Sequence, residues 1–311
     1  MTFTIGTPGV PWGAAQRARW RASQTKRRSY TDDVVSVVER LKRDFDVVSY
    51  GTLDYPPDGA YPLFALMSRG WSNALPCVMV TGGVHGYETS GVHGALLFAE
   101  RDAKQFLGKV NLLIAPCVSP WAYERIHRWN PDAVDPNRSF RPDSPSLEAR
   151  RLMELVEPWR GRFLVHVDLH ETTDSDESEF RPALAARDGK TFEPGIVPDG
   201  FYLVDDAAKR QPEFQDAIIA AVSRVTHIAE ADAQGQIIEE PVLSRGVIAY
   251  EVRKLGLCTA LTGARFTTTT EVYPDSPRVT PLQCNEAQAT AVRAAIEWAV
   301  NPIALGDGEA R

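Results

Sequence analysis

Cysteine is scarce in this chain. Cys77, Cys117, Cys258 and Cys284 are the only four among 311 residues, and no two form a C-x-x-C pair. Such spacing excludes a zinc ribbon, a redox dithiol and a disulfide scaffold, and fits a reducing compartment. Cys77 and Cys117 lie inside apolar runs and read as small core residues. No apolar stretch approaches the ~18 residues needed to cross a bilayer, so no membrane partner is expected. The opening MTFTIGTPGVPWG has no charged segment leading into an apolar one, so no secretory signal is expected and a cytoplasmic location is the default. Basic residues are outnumbered, 34 against 41, for a net charge of −7, which argues against nucleic acid as a partner. Repeats and low-complexity linkers are absent too. With 43% hydrophobic and 24% charged residues, the composition is that of an ordinary folded protein.

One local exception is the basic cluster Arg17, Arg19, Arg21, Lys26, Arg27 and Arg28, which Asp32 and Asp33 follow closely. It reads as a solvated arm over 1–30 rather than an anionic-surface patch. Beyond it, Thr31 and the apolar set Val34, Val35, Val38 and Leu41 predict a capped helix ending near Arg43. Strands are expected at 45–53 and 61–68, split by the Pro-Pro-Asp-Gly turn, and buried strands at 75–81, 109–115 and 162–169. Helices are expected at about 89–106, 147–159, 211–228 and 285–300, with a further strand at 260–272 and an irregular stretch at 171–210. Buried strands alternating with helices predict an α/β fold. It is a single domain over 31–300, a mixed, mostly parallel sheet flanked by helices on both faces, followed by a tail at 301–311.

Ligands collect at the carboxyl ends of strands in open α/β sheets. Four such ends deliver chemistry here: His85 and Glu88 in Gly-Gly-Val-His-Gly-Tyr-Glu, an arginine-rich loop carrying Arg128, Asn137 and Arg138, then His170, then Glu271. Two histidines and a carboxylate make a catalytic zinc shell with one position left for water, so His85, Glu88 and His170 are the candidate ligands. Gly86 allows a tight bend between the first two. His166 shares the face of His170 but stands two pleats back and reads as core; His93, His127 and His227 lack partners at ligand spacing. After His170 come five carboxylates in nine residues, 171–179, either a solvated loop or a rim selecting cationic substrates. Gly82-Gly83 as a phosphate-cradling turn lacks the lysine of a P-loop and the third glycine of a dinucleotide fingerprint.

The segments His85-Gly-Tyr-Glu88, Arg128-Trp-Asn-Pro-Asp-Ala-Val-Asp-Pro-Asn137-Arg138-Ser-Phe140, Asp168-Leu-His170 and Thr270-Glu271 resemble the zinc metallocarboxypeptidases of the carboxypeptidase A superfamily. That superfamily includes murein peptide amidases and succinylglutamate desuccinylase/aspartoacylase relatives. The resemblance runs over about residues 31–300. It implies zinc held by His85, Glu88 and His170, Glu271 as general base, and Arg128 beside the scissile carbonyl. It further implies Asn137 with Arg138 as a clamp on a substrate carboxylate. The resemblance does not place the tyrosine that closes over substrate in many members; spacing alone offers Tyr250. The chain departs from the family pattern at Ser119-Pro120, where Asn-Pro is common, and at Pro136.

The expected activity is hydrolysis of an amide bond beside a free carboxylate, by a metallocarboxypeptidase acting on small peptides. An N-acyl amino acid deacylase of the succinylglutamate desuccinylase/aspartoacylase type would carry the same motifs. A peptide-binding module without turnover would be expected to have lost a ligand or the base, and both are present.

Overall fold

Every residue of Cys77–Gly82 and of Asn111–Ala115 is buried, as strands covered on both faces require. The computed structural model describes residues 5–301, so the expected tail, apart from Asn301, lies outside the described residues. In chain order the strands are β1 Phe45–Tyr55, β2 Gly59–Ser68, β3 Cys77–Gly82, β4 Asn111–Ala115, β5 Phe163–Glu171 and β6 Tyr202–Asp206. A small hairpin of β7 Gln236–Ile237 and β8 Glu240–Pro241 follows, then β9 Val247–Tyr250 and β10 Phe266–Val272. Eight of them form one sheet in the order β1-β2-β4-β3-β5-β10-β6-β9. The central four, β4, β3, β5 and β10, run parallel, so their carboxyl ends share one edge. β1, β2 and β6 join through antiparallel pairings, and β9 runs parallel to β6.

The helices are α1 Ala14–Ser23, α2 Ser36–Leu41, α3 Thr89–Leu97, α4 Pro120–Arg125, α5 Leu147–Val156, α6 Arg181–Arg187, α7 Pro212–Val222, α8 Val252–Leu255 and α9 Pro281–Ala299. Strand alternation divides the core between the two faces of the sheet. Val78, Val80, Val165, Val167 and Leu169 face Val92 of α3, Phe214 of α7 and Val292 of α9. Met79, Leu113 and Phe163 face Leu152 and Val156 of α5. The fold expected from the sequence, one α/β sheet with helices on both faces, is therefore the fold observed. Among the described residues no helix is long and apolar enough to cross a membrane.

Four local expectations need correction. The helix near Thr31 is capped from Ser29, whose Oγ accepts from Asp32 N at 3.1 Å, and begins as a wide π-turn. α7 stops at Val222 rather than Ile228 because 227–229 turn to pair with Phe201, which donates to His227 O and accepts from Ala229 N. α9 starts earlier than Asn285, where Thr280 and Gln283 form a capping box ahead of Pro281. The irregular stretch 171–210 contains β6 and a helical segment, 176–187, whose signals are masked by charge.

The basic cluster is docked on the domain rather than free in solvent, although Arg19, Lys26 and Arg27 are exposed. Arg17, Arg19 and Arg21 belong to α1, whose Trp20 is 1% exposed and packs on Trp121, Trp129 and His127. Arg17 donates to Asp132 O at 2.8 Å, and Arg21 pairs with Asp58 at 2.8 Å. Removing that indole leaves a cavity the surrounding rings cannot fill. Trp20→Ala is expected to cost about 3–5 kcal/mol in urea unfolding; a loss below ~1 kcal/mol would show that the arm is only loosely attached.

Candidate metal centre

β3, β5 and β10 end together at one edge, and the register sets Glu271 directly opposite His170. The turn after β3 lies flat against α4: a Cβ on Gly86 would come within 2.1 Å of the backbone of Ala122 and Tyr123. Gly86 is therefore required for close approach, not for the bend the sequence suggested. This seats His85 and Glu88 beneath the helix, facing His170.

The ligand atoms of His85, Glu88 and His170 all lie within 4.8 Å of one another, and all three residues are buried. His85 Nδ1 is 2.8 Å from Glu88 Oε1, and His170 Nδ1 is 2.8 Å from Glu88 Oε2. The outer ring nitrogens are also taken. His85 Nε2 is 2.9 Å from Asp135 Oδ1, and His170 Nε2 is 2.7 Å from Asp168 Oδ2. With an Nε2–H donated to each aspartate, each Nδ1 faces the Glu88 carboxylate, as a donor while the ring is charged and as a ligand atom once that proton is given up. Glu88 Oε2 then meets His170 Nδ1 at short range without hydrogen-bond geometry. Two imidazole nitrogens and a carboxylate converging in a buried space suit a cation, and aspartates holding the outer nitrogens are the usual support of metal-bound histidines. The residues present therefore fit a divalent ion such as zinc.

Charge and burial in this region shift its carboxyl groups apart. Glu88 falls to about 2: burial opposes ionisation, but His170 and His85 outweigh it. Glu271 is pushed up to about 8, chiefly by burial and further by the Glu88 charge. Its Oε2 accepts from Thr172 Oγ1 at 3.0 Å, and that hydroxyl in turn meets Tyr202 OH at 2.7 Å. Asp135 is held well below the carboxylate range; burial is overcome by Arg128 and His85.

Around these groups opens a cleft of about 590 Å³. Arg128 faces it, braced by Asp135 at 3.1 Å and Asp176 at 3.4 Å. Pro136 has a local role: Asp135 Oδ1 accepts from Asn137 N at 2.9 Å, capping a short 3-10 turn with proline at its first position. Asn137 is buried, its Oδ1 accepting from Cys258 N at 2.8 Å, whereas Arg138 is exposed in the cleft and, among the described residues, its guanidinium donates to Asn137 O at 2.8 Å. Asp135, three residues before Arg138, pairs with Arg128 and His85. Tyr250 lines the same cleft.

The acidic run is no free loop, and Glu171, Asp176 and Glu177 line the cleft. Glu171 accepts from Thr89 N and Ser90 N, capping α3, and Asp176 accepts from Tyr87 OH at 3.0 Å. Glu177 pairs with Arg181, and Asp174 accepts from Tyr273 OH. His166 is core, bonded to Thr81 and Thr262, and burial lowers its pKa to about 4. His93 meets Tyr123 and His227 meets Asp199, away from the centre.

Residues 74–191 match the Succinylglutamate desuccinylase/Aspartoacylase catalytic domain family. No curated protein matches the sequence. Among solved structures, a provisionally assigned metallopeptidase from Shewanella amazonensis SB2B aligns with a TM-score of 0.65 at 20% identity, over 86% of this chain and 91% of its own. Carboxypeptidase A from Helicoverpa armigera aligns with 0.58 at 14%, over 91% and 78%. A metallo-carboxypeptidase from Burkholderia cenocepacia aligns with 0.56 at 14%, over 93% and 70%. The fold is carboxypeptidase-like. At these identities the structural likeness is one of fold.

Within this carboxypeptidase-like fold, sequence reasoning missed Asp135 and Asp168 as supports of the two histidines, and Tyr87, Thr172 and Asp176 as neighbours of Arg128 and Glu271. Asp168 was the most accessible: strand alternation puts it on the face of His170, two residues away. Asp135 had no such signal, since it reaches His85 across 50 residues. Asp168→Asn is expected to weaken zinc affinity about 10- to 100-fold in competition with a chromophoric chelator. Unchanged affinity would remove Asp168 from the support of the site.

Proposed function

We propose that the chain is a zinc-dependent hydrolase of amide bonds adjacent to a free carboxylate, acting as a metallocarboxypeptidase on small peptides. The observation carrying this reading is the pair of Nδ1 atoms converging on Glu88 with Glu271 beside them and outside the ligand set. Zinc held by His85, Glu88 and His170 would polarise the scissile carbonyl and lower the pKa of a water toward ~7. Glu271, at the edge of the cleft, would accept a proton from an attacking water and return it to the leaving nitrogen. Thr172 fixes the orientation of its carboxylate. Arg128, kept charged by Asp135 and Asp176, faces the developing oxyanion with fixed donors. Arg138, free of a carboxylate partner among the described residues, takes the substrate carboxylate through two parallel bonds. A cleft of about 590 Å³ suits a short peptide.

The matched segment favours a second reading on the same residues, an N-acyl amino acid deacylase. Both use a carboxylate clamp and an amide over the metal, so the distinction lies in what flanks the amide. Turnover of di- and tripeptides measured beside N-acetyl and N-succinyl amino acids separates them. Absence of turnover on either set by zinc-loaded protein would leave a binding module.

Glu271→Gln is expected to lower kcat by about 10²- to 10⁴-fold while zinc content is unchanged. The base works only when ionised, so the rate rises with pH through its pKa. That pKa is about 8 without metal, and a neighbouring divalent ion draws it lower, so the acidic limb of kcat/KM should fall below pH 8 and vanish in the variant. Full activity of the zinc-loaded glutamine variant would defeat the assignment. Arg138→Ala should raise KM about 10- to 100-fold with a smaller change in kcat; an unaltered KM would place the carboxylate elsewhere.

A further inference from the structure

The basic cluster near the N-terminus has no part in the chemistry above, yet one of its members reaches the metal centre's supporting turn. Arg28 donates from Nη2 to Gly86 O at 2.6 Å, from Nη1 to Thr89 Oγ1 at 2.7 Å, and from Nε to Tyr123 O at 2.7 Å. Its guanidinium carbon lies 3.6 Å from the centroid of the Tyr123 ring. The backbone N–H groups of Arg27 and Arg28 both donate to Glu124 O, fixing this part of the arm on α4. Gly86 immediately follows His85, and Thr89 immediately follows Glu88. The two Nη contacts therefore bracket the second half of the turn between the two candidate ligands. The guanidinium fork is planar and its donors have fixed separation, so these contacts set the distance between the ends of that segment.

We propose that Arg28 is a positioning residue for the metal centre, holding the His85–Glu88 turn against α4 so that both ligand side chains face one ion. The inference rests on the reading of His85, Glu88 and His170 as the ligands. Two effects of Arg28 oppose each other. Its positive charge repels a divalent cation, so on electrostatics alone its removal tightens metal binding. Its hydrogen bonds preorganise two of three ligands, so on geometry its removal weakens binding. The proposal is that geometry wins, which fixes the sign of the experiment.

The test uses the full chain, stripped of metal, with Zn²⁺ titrated against a competing chelator. Thermal unfolding of the metal-free proteins is measured in parallel. Arg28→Met is expected to weaken Zn²⁺ affinity about 10- to 100-fold, and Arg28→Lys, which keeps the charge and part of the bonding, by less. Thr89→Val removes one anchor without touching the arginine and should weaken affinity several-fold. It should add little in the Arg28→Lys background if both act through one contact. This pair keeps the test decisive should Arg28→Met fail to fold. The visible absorption of the Co²⁺-loaded variants should shift from that of the wild type, a change that a loss of stability alone does not produce. Wild-type affinity, or tighter binding, in folded variants would overturn the proposal while leaving the ligand assignment standing. A wild-type protein that takes up no Zn²⁺ would defeat both.

Discussion

Two imidazoles present their Nδ1 atoms to a single buried carboxylate, and much of the surrounding structure serves that arrangement. Each ring can hold its direction only because an aspartate takes its outer nitrogen, Asp135 for His85 and Asp168 for His170. Those aspartates are in turn satisfied: Asp135 by Arg128 and Asn137 N, Asp168 by Thr81 Oγ1 at 2.6 Å. Buried charge is costly unless paired, so the chain of partners continues outward until it meets backbone or solvent. The net field of Glu88 on its neighbours is visible in Glu271 and Glu171, which burial and that charge push up to about 8 and about 7. A divalent cation among these groups would offset the accumulated negative charge.

Topology supplies the rest. Parallel central strands bring residues distant in sequence to one edge, and helices on both faces keep water from the strands beneath. Glu171, at the end of β5, closes the first turn of α3 by accepting from Thr89 N and Ser90 N, tying the strand of one ligand to the helix that follows another. Gln288 of α9 donates to His170 O at 2.7 Å, so the closing helix bears on the same point. The N-terminal arm joins from outside, through Arg28 on the His85–Glu88 turn and Arg17 on the loop that leads to Asp135.

Much of this was legible because the signals are local. β3, β4 and β5 show as short apolar runs, and His166, Asp168 and His170 share a face by simple alternation. The four strand ends could be read one after another for polar residues, which is how His85, Glu88, His170 and Glu271 came together. Elements failed to show where another signal lay over them. β6 follows an acidic stretch that hides a short apolar run, and α1 is so rich in arginine that its one buried anchor, Trp20, does not form a pattern. Arginines that looked solvated proved to donate to carbonyls on distant loops, a use of charge with no periodicity to reveal it.

The sequence by itself determined the α/β class, the places of the central strands along the chain and the residue types at their ends, because burial on both faces and strand period are properties of neighbours in the chain. Only the tertiary structure decided which carboxylate supports which histidine, that Asp135 serves Arg128 and His85 rather than Arg138, and that Gly86 is needed for contact with α4. The acidic run acquired its meaning in the same way, each side chain finding a separate partner. Such choices depend on distances between segments far apart in the chain, and hydrogen bonds and ion pairs discriminate among partners over a few ångströms, a scale that sequence spacing does not contain.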